Sequence, residues 1–85
     1  MPSLILVEIY SRPGCHLCDD AKAAVLKARP RFSFDLSVID IDRDPALVEA
    51  YGTEIPVVAI DGEVVFKITV DEKELRRRLE RLCNP

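Results

Sequence analysis

Apolar and polar positions change period several times along these 85 residues, and each change marks an element. Leu4-Ile5-Leu6-Val7-Glu8-Ile9-Tyr10 is an almost continuous apolar run of strand length. Ser11-Arg12-Pro13-Gly14 interrupts it. Leu17, Ala21, Ala24, Val25 and Ala28 then return at helical spacing, the stripe of a helix that lies on a sheet. Asp19 and Asp20 in the first turn and Lys27 and Arg29 in the last complement the helix dipole, and Pro30 ends it. Phe32, Phe34, Leu36 and Val38 alternate with Ser33, Asp35 and Ser37, the period of a half-buried strand.

Asp44-Pro45 reads as an N-cap followed by proline at the first helical position, with Gly52 at the far end of a short helix over Ala46–Tyr51. Val57–Ile60 and Val64–Ile68 flank Asp61-Gly62, a two-residue hairpin signal. Asp71 and Glu74 suit a capping box that opens a last helix with Leu75, Leu79 and Leu82 inward. The order βαβαββα combines a parallel β–α–β unit with an antiparallel hairpin. A mixed four-stranded sheet with helices on both faces satisfies both, as one α/β domain over residues 1–85.

Composition narrows the function classes. With 48% hydrophobic and 32% charged residues the chain is globular in character. A net charge of −3 argues against coating nucleic acid. Arg76, Arg77, Arg78 and Arg81 are interleaved with Glu72 and Glu74 at ion-pair spacing, which reads as a solvated helix face. Leu4 to Val7 is far too short to span a membrane, and Met1-Pro2-Ser3 carries no secretory pattern, so a cytoplasmic location is expected. Asp35, Asp40, Asp42 and Asp44 lack the glycine and terminal glutamate of a calcium loop.

The candidate chemistry lies in Cys15-His16-Leu17-Cys18, between the first strand and the first helix. Two cysteines three apart at a helix start lie on one face, beside unpaired N–H groups and the positive end of the dipole. That environment lowers a thiol pKa from about 8.5 into a range of about 3.5–7.5 and favours the reactive thiolate. Arg12 adds positive charge. His16 adds a cation or is inert, and Asp19 and Asp20 oppose it. A zinc site needs four ligands, and only Cys15, Cys18, Cys83 and His16 are on offer. His16 stands between two cysteines and cannot readily share their centre, so no metal site is expected. Cys83 falls near the inward stripe of the last helix and reads as a small buried hydrophobe.

Three segments carry a family resemblance. Tyr10–Cys18 resembles the strand–loop–CxxC–helix segment of glutaredoxins, and Asp40–Leu47 is similar to the approach to their second helix. Tyr51-Gly52-Thr53-Glu54-Ile55-Pro56-Val57 resembles the approach to the cis-proline loop shared by thioredoxins and glutaredoxins. The whole is most similar to the small bacterial glutaredoxin-like proteins, and it implies a thioredoxin-like fold in its minimal glutaredoxin form. It further implies a thiol–disulfide oxidoreductase, with Cys15 as nucleophile and Cys18 as resolving thiol. Arg12 matches a basic residue that contacts glutathione. A cis bond at Ile55-Pro56 would aim the Ile55 backbone at a bound substrate chain. Thioredoxins carry a buried acid near the position of Glu8 that assists the inner cysteine; the other reading of Glu8 is a carboxylate on the exposed side of the strand. Tyr10 is expected to pack beside the redox loop.

The resemblance breaks after the last strand, where glutaredoxins carry a Gly-Gly pair and an Asp. Phe66-Lys67-Ile68-Thr69-Val70-Asp71 stands there without glycine, and Glu54 adds negative charge unsuited to an anionic tripeptide. The expectation is therefore a monomer with no resident cofactor that acts on protein or small-molecule disulfides. Its electron donor is either glutathione or a thioredoxin-reductase-type system. The alternatives are a metal- or iron–sulfur-binding glutaredoxin-like module and a non-catalytic thioredoxin-fold interaction domain.

Overall fold

The computed structural model describes residues 5–83. Leu4, expected in the first strand, and the side chain of Cys83 lie outside the described part. The elements are β1 (Leu6–Ser11), α1 (His16–Ala28), β2 (Asp35–Asp40), a 3-10 turn (Ile41–Arg43), α2 (Pro45–Tyr51), β3 (Val57–Ile60), β4 (Glu63–Lys67) and α3 (Glu72–Cys83). They follow the expected order and add only the 3-10 turn.

β1 is the hub. It pairs in parallel with β2 and antiparallel with β3, and β3 carries β4, which gives the sheet order β2-β1-β3-β4. Ile9 faces Val38 on one side and Val58 on the other, and Val7 faces Leu36 and Ile60. These residues project to one face, where Val7, Ile9, Val58 and Ile60 meet Val25 and Ala28 of α1, Leu75 and Leu79 of α3, and Phe32 and Phe34. Each fully buried leucine there contributes roughly 1.5–3 kcal/mol from apolar burial. Glu8, Tyr10, Val57 and Ala59 project to the opposite face. The ring of Tyr10 meets that of Tyr51 there, so α2 covers this face and helices lie on both sides of the sheet.

Local chemistry closes the turns as expected. Asp44 caps α2 by accepting the Ala46 N–H at 3.0 Å, with Pro45 at its start. Asp61 (φ 51°) and Gly62 (φ 86°) make the hairpin with both residues left-handed, the conformation a type I′ turn demands. The Asp61 carboxylate also accepts the Leu6 N–H at 2.8 Å, which ties the hairpin to the start of β1. Asp71 accepts the N–H groups of Lys73 and Glu74. Glu74 does not complete the box; its carboxylate turns to Arg77 and Arg78, while Glu72 pairs with Lys27 of α1.

Three expectations about the apolar stripe need correction. The buried face of α1 is Cys18, Ala21, Val25 and Ala28, whereas Leu17 is 46% exposed. The stripe thus begins at the inner cysteine, Cys18, one residue after Leu17. Leu82 is also 46% exposed, beyond the inward Leu75 and Leu79, where the end of α3 overhangs the Asp61 hairpin. Phe32 and Phe34 are buried but precede β2. The Phe32 N–H still bonds to the Ala28 carbonyl, and pairing with β1 begins at Asp35, where its N–H reaches the Ile5 carbonyl.

Candidate redox site

The cysteines sit where β1 hands over to α1. After Ser11 the chain turns through Pro13 and Gly14, and the positive φ of Gly14 (79°) suits glycine. Cys15 follows in extended conformation as the N-cap of α1. Its sulfur accepts the Cys18 N–H at 3.2 Å, in the place a serine or aspartate oxygen takes at most helix starts. A sulfur that accepts from the first turn feels the unpaired N–H groups and the dipole there, and both favour thiolate. The Cα atoms of Cys15 and Cys18 are 5.2 Å apart, within the span a disulfide bridges, and the two sulfurs meet in disulfide contact. Cys18 is 5% exposed and Cys15 half-buried. Cys15 is thus the more open of the two and Cys18 the more shielded.

Arg12 is near this turn, but its charge is already engaged. Its Nε and Nη2 donate to one Asp42 oxygen at 3.2 and 3.0 Å. Asp40 holds Asp42 in place by accepting its N–H at 2.9 Å. Arg12, Gly14, Cys18, Lys22 and Asp40 line a cavity of about 280 Å³ on the β2 side of the cysteines. His16, Asp19 and Asp20 are exposed on the first turn of α1. Glu8 is half-buried on the face of β1 away from α1. Tyr10 shares that face, and burial, followed by the charges of Glu8 and Tyr51, raises its phenol pKa above 10.0.

The other wall comes from distant parts of the chain. The Ile55-Pro56 bond is cis. The pairing of Val57 with Tyr10 sets Pro56 beside the end of β1, from which the cysteine loop departs. The Ile55 backbone makes no hydrogen bond among the described residues. Its neighbours are bonded: the Ile68 N–H donates to the carbonyls of Glu54 at 3.2 Å and Pro56 at 2.8 Å. Glu54 forms an ion pair with Lys67, so its negative charge is partnered. β4 ends at Lys67, one residue short of the expected strand, and Ile68 adopts φ 71°. Leu17, Asp20, Ala21, Ile68, Thr69 and Val70 line a second cavity of about 140 Å³. Sequence reasoning did not single out Leu17 or Ile68 as site residues; the one available signal was the lack of glycine over residues 66–71. Among the described residues no three His, Cys, Asp or Glu side chains are grouped to hold a metal ion.

Residues 6–80 match the family described as Glutaredoxin-like domain (DUF836). A glutaredoxin-like protein of Dictyostelium discoideum is 32% identical, over 92% of this chain and 78% of its own length. The chain belongs to the glutaredoxin-like domain family. An X-ray structure of a structural-genomics target protein from X. campestris shares 37% identity and a TM-score of 0.70, covering 88% of this chain and 96% of that one. A thioredoxin from Halobacterium salinarum, at 24% identity, superposes with a TM-score of 0.65 over 91% of this chain and 73% of its own. The architecture is thus thioredoxin-like, and this glutaredoxin-like chain carries its CxxC pair at the start of α1. None of the described helices is long and apolar enough to cross a membrane.

Proposed function

We propose that this glutaredoxin-like protein is a dithiol–disulfide oxidoreductase that uses Cys15 and Cys18. The observation that carries the reading is Cys15 at the helix cap, its sulfur accepting the Cys18 N–H, with a shielded Cys18 one turn on. The Cys15 thiolate attacks one sulfur of a substrate disulfide, and the other sulfur leaves as a thiolate that takes up a proton. Cys18 then loses its proton and attacks the Cys15 sulfur of the mixed disulfide, which expels the second substrate thiol. Two electrons pass to the substrate, and the protein retains the Cys15–Cys18 disulfide. The unpaired Ile55 backbone supplies strand-like hydrogen bonds to a substrate chain beside the sulfurs.

A two-electron thiol donor must restore the dithiol. We favour a reductase-type donor over glutathione, because Lys67-Ile68-Thr69-Val70 replaces the glycine pair and Arg12 is committed to Asp42. A cytoplasmic monomer without resident cofactor suits this chemistry, since a reducing compartment keeps the pair charged with electrons. Anaerobic titration of the Cys15–Cys18 couple against glutathione and, separately, a thioredoxin-reductase system tests both statements. Cys15→Ser is expected to lose all exchange and Cys18→Ser to accumulate mixed disulfides. A pair that never oxidises, or full turnover in both variants, would overturn the assignment.

A further inference from the structure

We propose that Leu17, Ile68 and Val70, with Asp20 on the rim, form a specificity subsite for protein disulfides whose cysteine is flanked by apolar and basic side chains. The proposal rests on the dithiol reading above and names the substrate class of that site.

Three independent observations converge there. The first is exposed apolar surface in a built position. Leu17 is 46% and Ile68 47% exposed, yet they come from α1 and from the segment after β4 to line one cavity against the first turns of α1, the helix that carries Cys18. Leu17 lies between Cys15 and Cys18 in the chain, so an occupant of this cavity sits at the same helix start as both cysteines.

The second observation is the backbone of Ile68. A φ of 71° is uncommon for any residue with a side chain and worst for a β-branched one. Bonds from its N–H to the Glu54 and Pro56 carbonyls, and from the Thr69 N–H to the Lys67 carbonyl, hold it there. Strain of this kind persists where its surroundings over-determine it, and here its result is an isoleucine side chain displayed beside the unpaired backbone of Ile55. An extended peptide that pairs with Ile55 runs past Ile68 and lays an alternate side chain on it.

The third is charge. Lys67 is taken by Glu54 and Arg12 by Asp42, whereas Asp20 on the cavity rim has no ion-pair partner among the described residues. The unpartnered charge of this wall is negative. A small anionic disulfide gains nothing from it, and a lysine or arginine near the partner cysteine does.

The test uses reduced protein and two pentapeptides, Lys-Leu-Cys-Leu-Lys and Glu-Ser-Cys-Ser-Glu, each carried as a mixed disulfide with thionitrobenzoate. Cys15 attacks the peptide sulfur, the better leaving group departs as coloured thiolate, and Cys18 then releases the peptide thiol. Rates are normalised to those with dithiothreitol, which removes differences in intrinsic reactivity. The apolar, basic peptide is expected to react about tenfold faster, the discrimination that small apolar contacts support. Leu17→Ser and Ile68→Gly should each shrink that ratio several-fold, and Asp20→Lys should remove its charge component. Equal normalised rates on the two peptides, or a ratio untouched by all three substitutions, would overturn the subsite while leaving the dithiol chemistry standing. Failure of the wild-type protein to reduce even hydroxyethyl disulfide would overturn both.

Discussion

Gly14 and Ile68 both hold the backbone in the left-handed region, at φ 79° and 71°, one on each side of the first turn of α1. On the cysteine side the conformation is met by the residue that adopts it at no steric cost. On the cis-proline side it is met by one of the residues that adopts it worst. The cysteine wall is a local object, made by β1, a four-residue loop and the cap of α1. The facing wall is long-range, made where Glu54, Pro56 and Ile68 are bonded across the chain. Chemistry that depends only on a helix start can be encoded in one short segment. A displayed side chain beside a particular loop requires the whole fold, and strain is tolerated there because distant elements hold it.

Leu79→Ala should break this symmetry most strongly. Leu79 is fully buried among Val7, Ile9, Val25 and Val58, and with Leu75 it fastens α3 to the sheet. Its truncation is expected to cost about 2–5 kcal/mol in denaturant unfolding. Hydrogen exchange should quicken more at Ile68–Val70, which hang between β4 and α3, than at Cys18–Ala21 in α1. Equal acceleration on both sides would show that the two walls are one cooperative unit.

Gly14→Ala and Ile68→Gly sharpen the same contrast at smaller scale and with opposite signs. A Cβ on Gly14 meets nothing within 4 Å, so the cost is confined to the backbone, about 1–2 kcal/mol of destabilisation. Ile68→Gly relieves a similar penalty but frees the unfolded chain, which offsets about 0.4–1 kcal/mol of it. The net expectation is a stabilisation of about 0–1.6 kcal/mol, read as a small rise in Tm. A fall in Tm would mean that the Ile68 side chain contributes more packing than its exposure suggests.

The same division governs what could be read in the chain. Cys15-His16-Leu17-Cys18 after an apolar strand, Asp44-Pro45, Asp61-Gly62 and Asp71 were all legible, because caps and tight turns depend on residues within a few positions of each other. Apolar periodicity for β1, α1, β2 and α3, joined to cap and turn signals for α2, β3 and β4, placed every strand and α-helix in order and missed the 3-10 turn at Ile41–Arg43. It failed on Leu17, because the buried stripe begins at Cys18, a residue assigned to chemistry and left out of the apolar count. It placed the start of β2 too early, because Phe32 and Phe34 bury themselves in the turn that leaves α1 rather than in a ladder. The commitment of Arg12 to Asp42, thirty residues away, and the conformation of Ile68 belong to the assembled sheet alone.

The smallest expected effect separates the two faces of β1. Glu8 and Tyr10 share the face away from α1, and the Tyr10 phenol pKa is raised first by burial and then by Glu8 and Tyr51. The fold therefore favours the neutral phenol. That contribution to stability is fully present below pH 10.0 and is lost as pH rises through the higher folded value. Glu8→Gln should move the Tyr10 titration down but not fully back, because burial remains the larger cause. Phenolate absorbance in a Tyr51→Phe background, where Tyr10 is the one remaining tyrosine, reads the shift directly. The pH profile of disulfide exchange should stay in place, since the sheet stands between Glu8 and α1. A profile that moves with Glu8→Gln would connect the two faces electrostatically and revive Glu8 as the proton acceptor for Cys18.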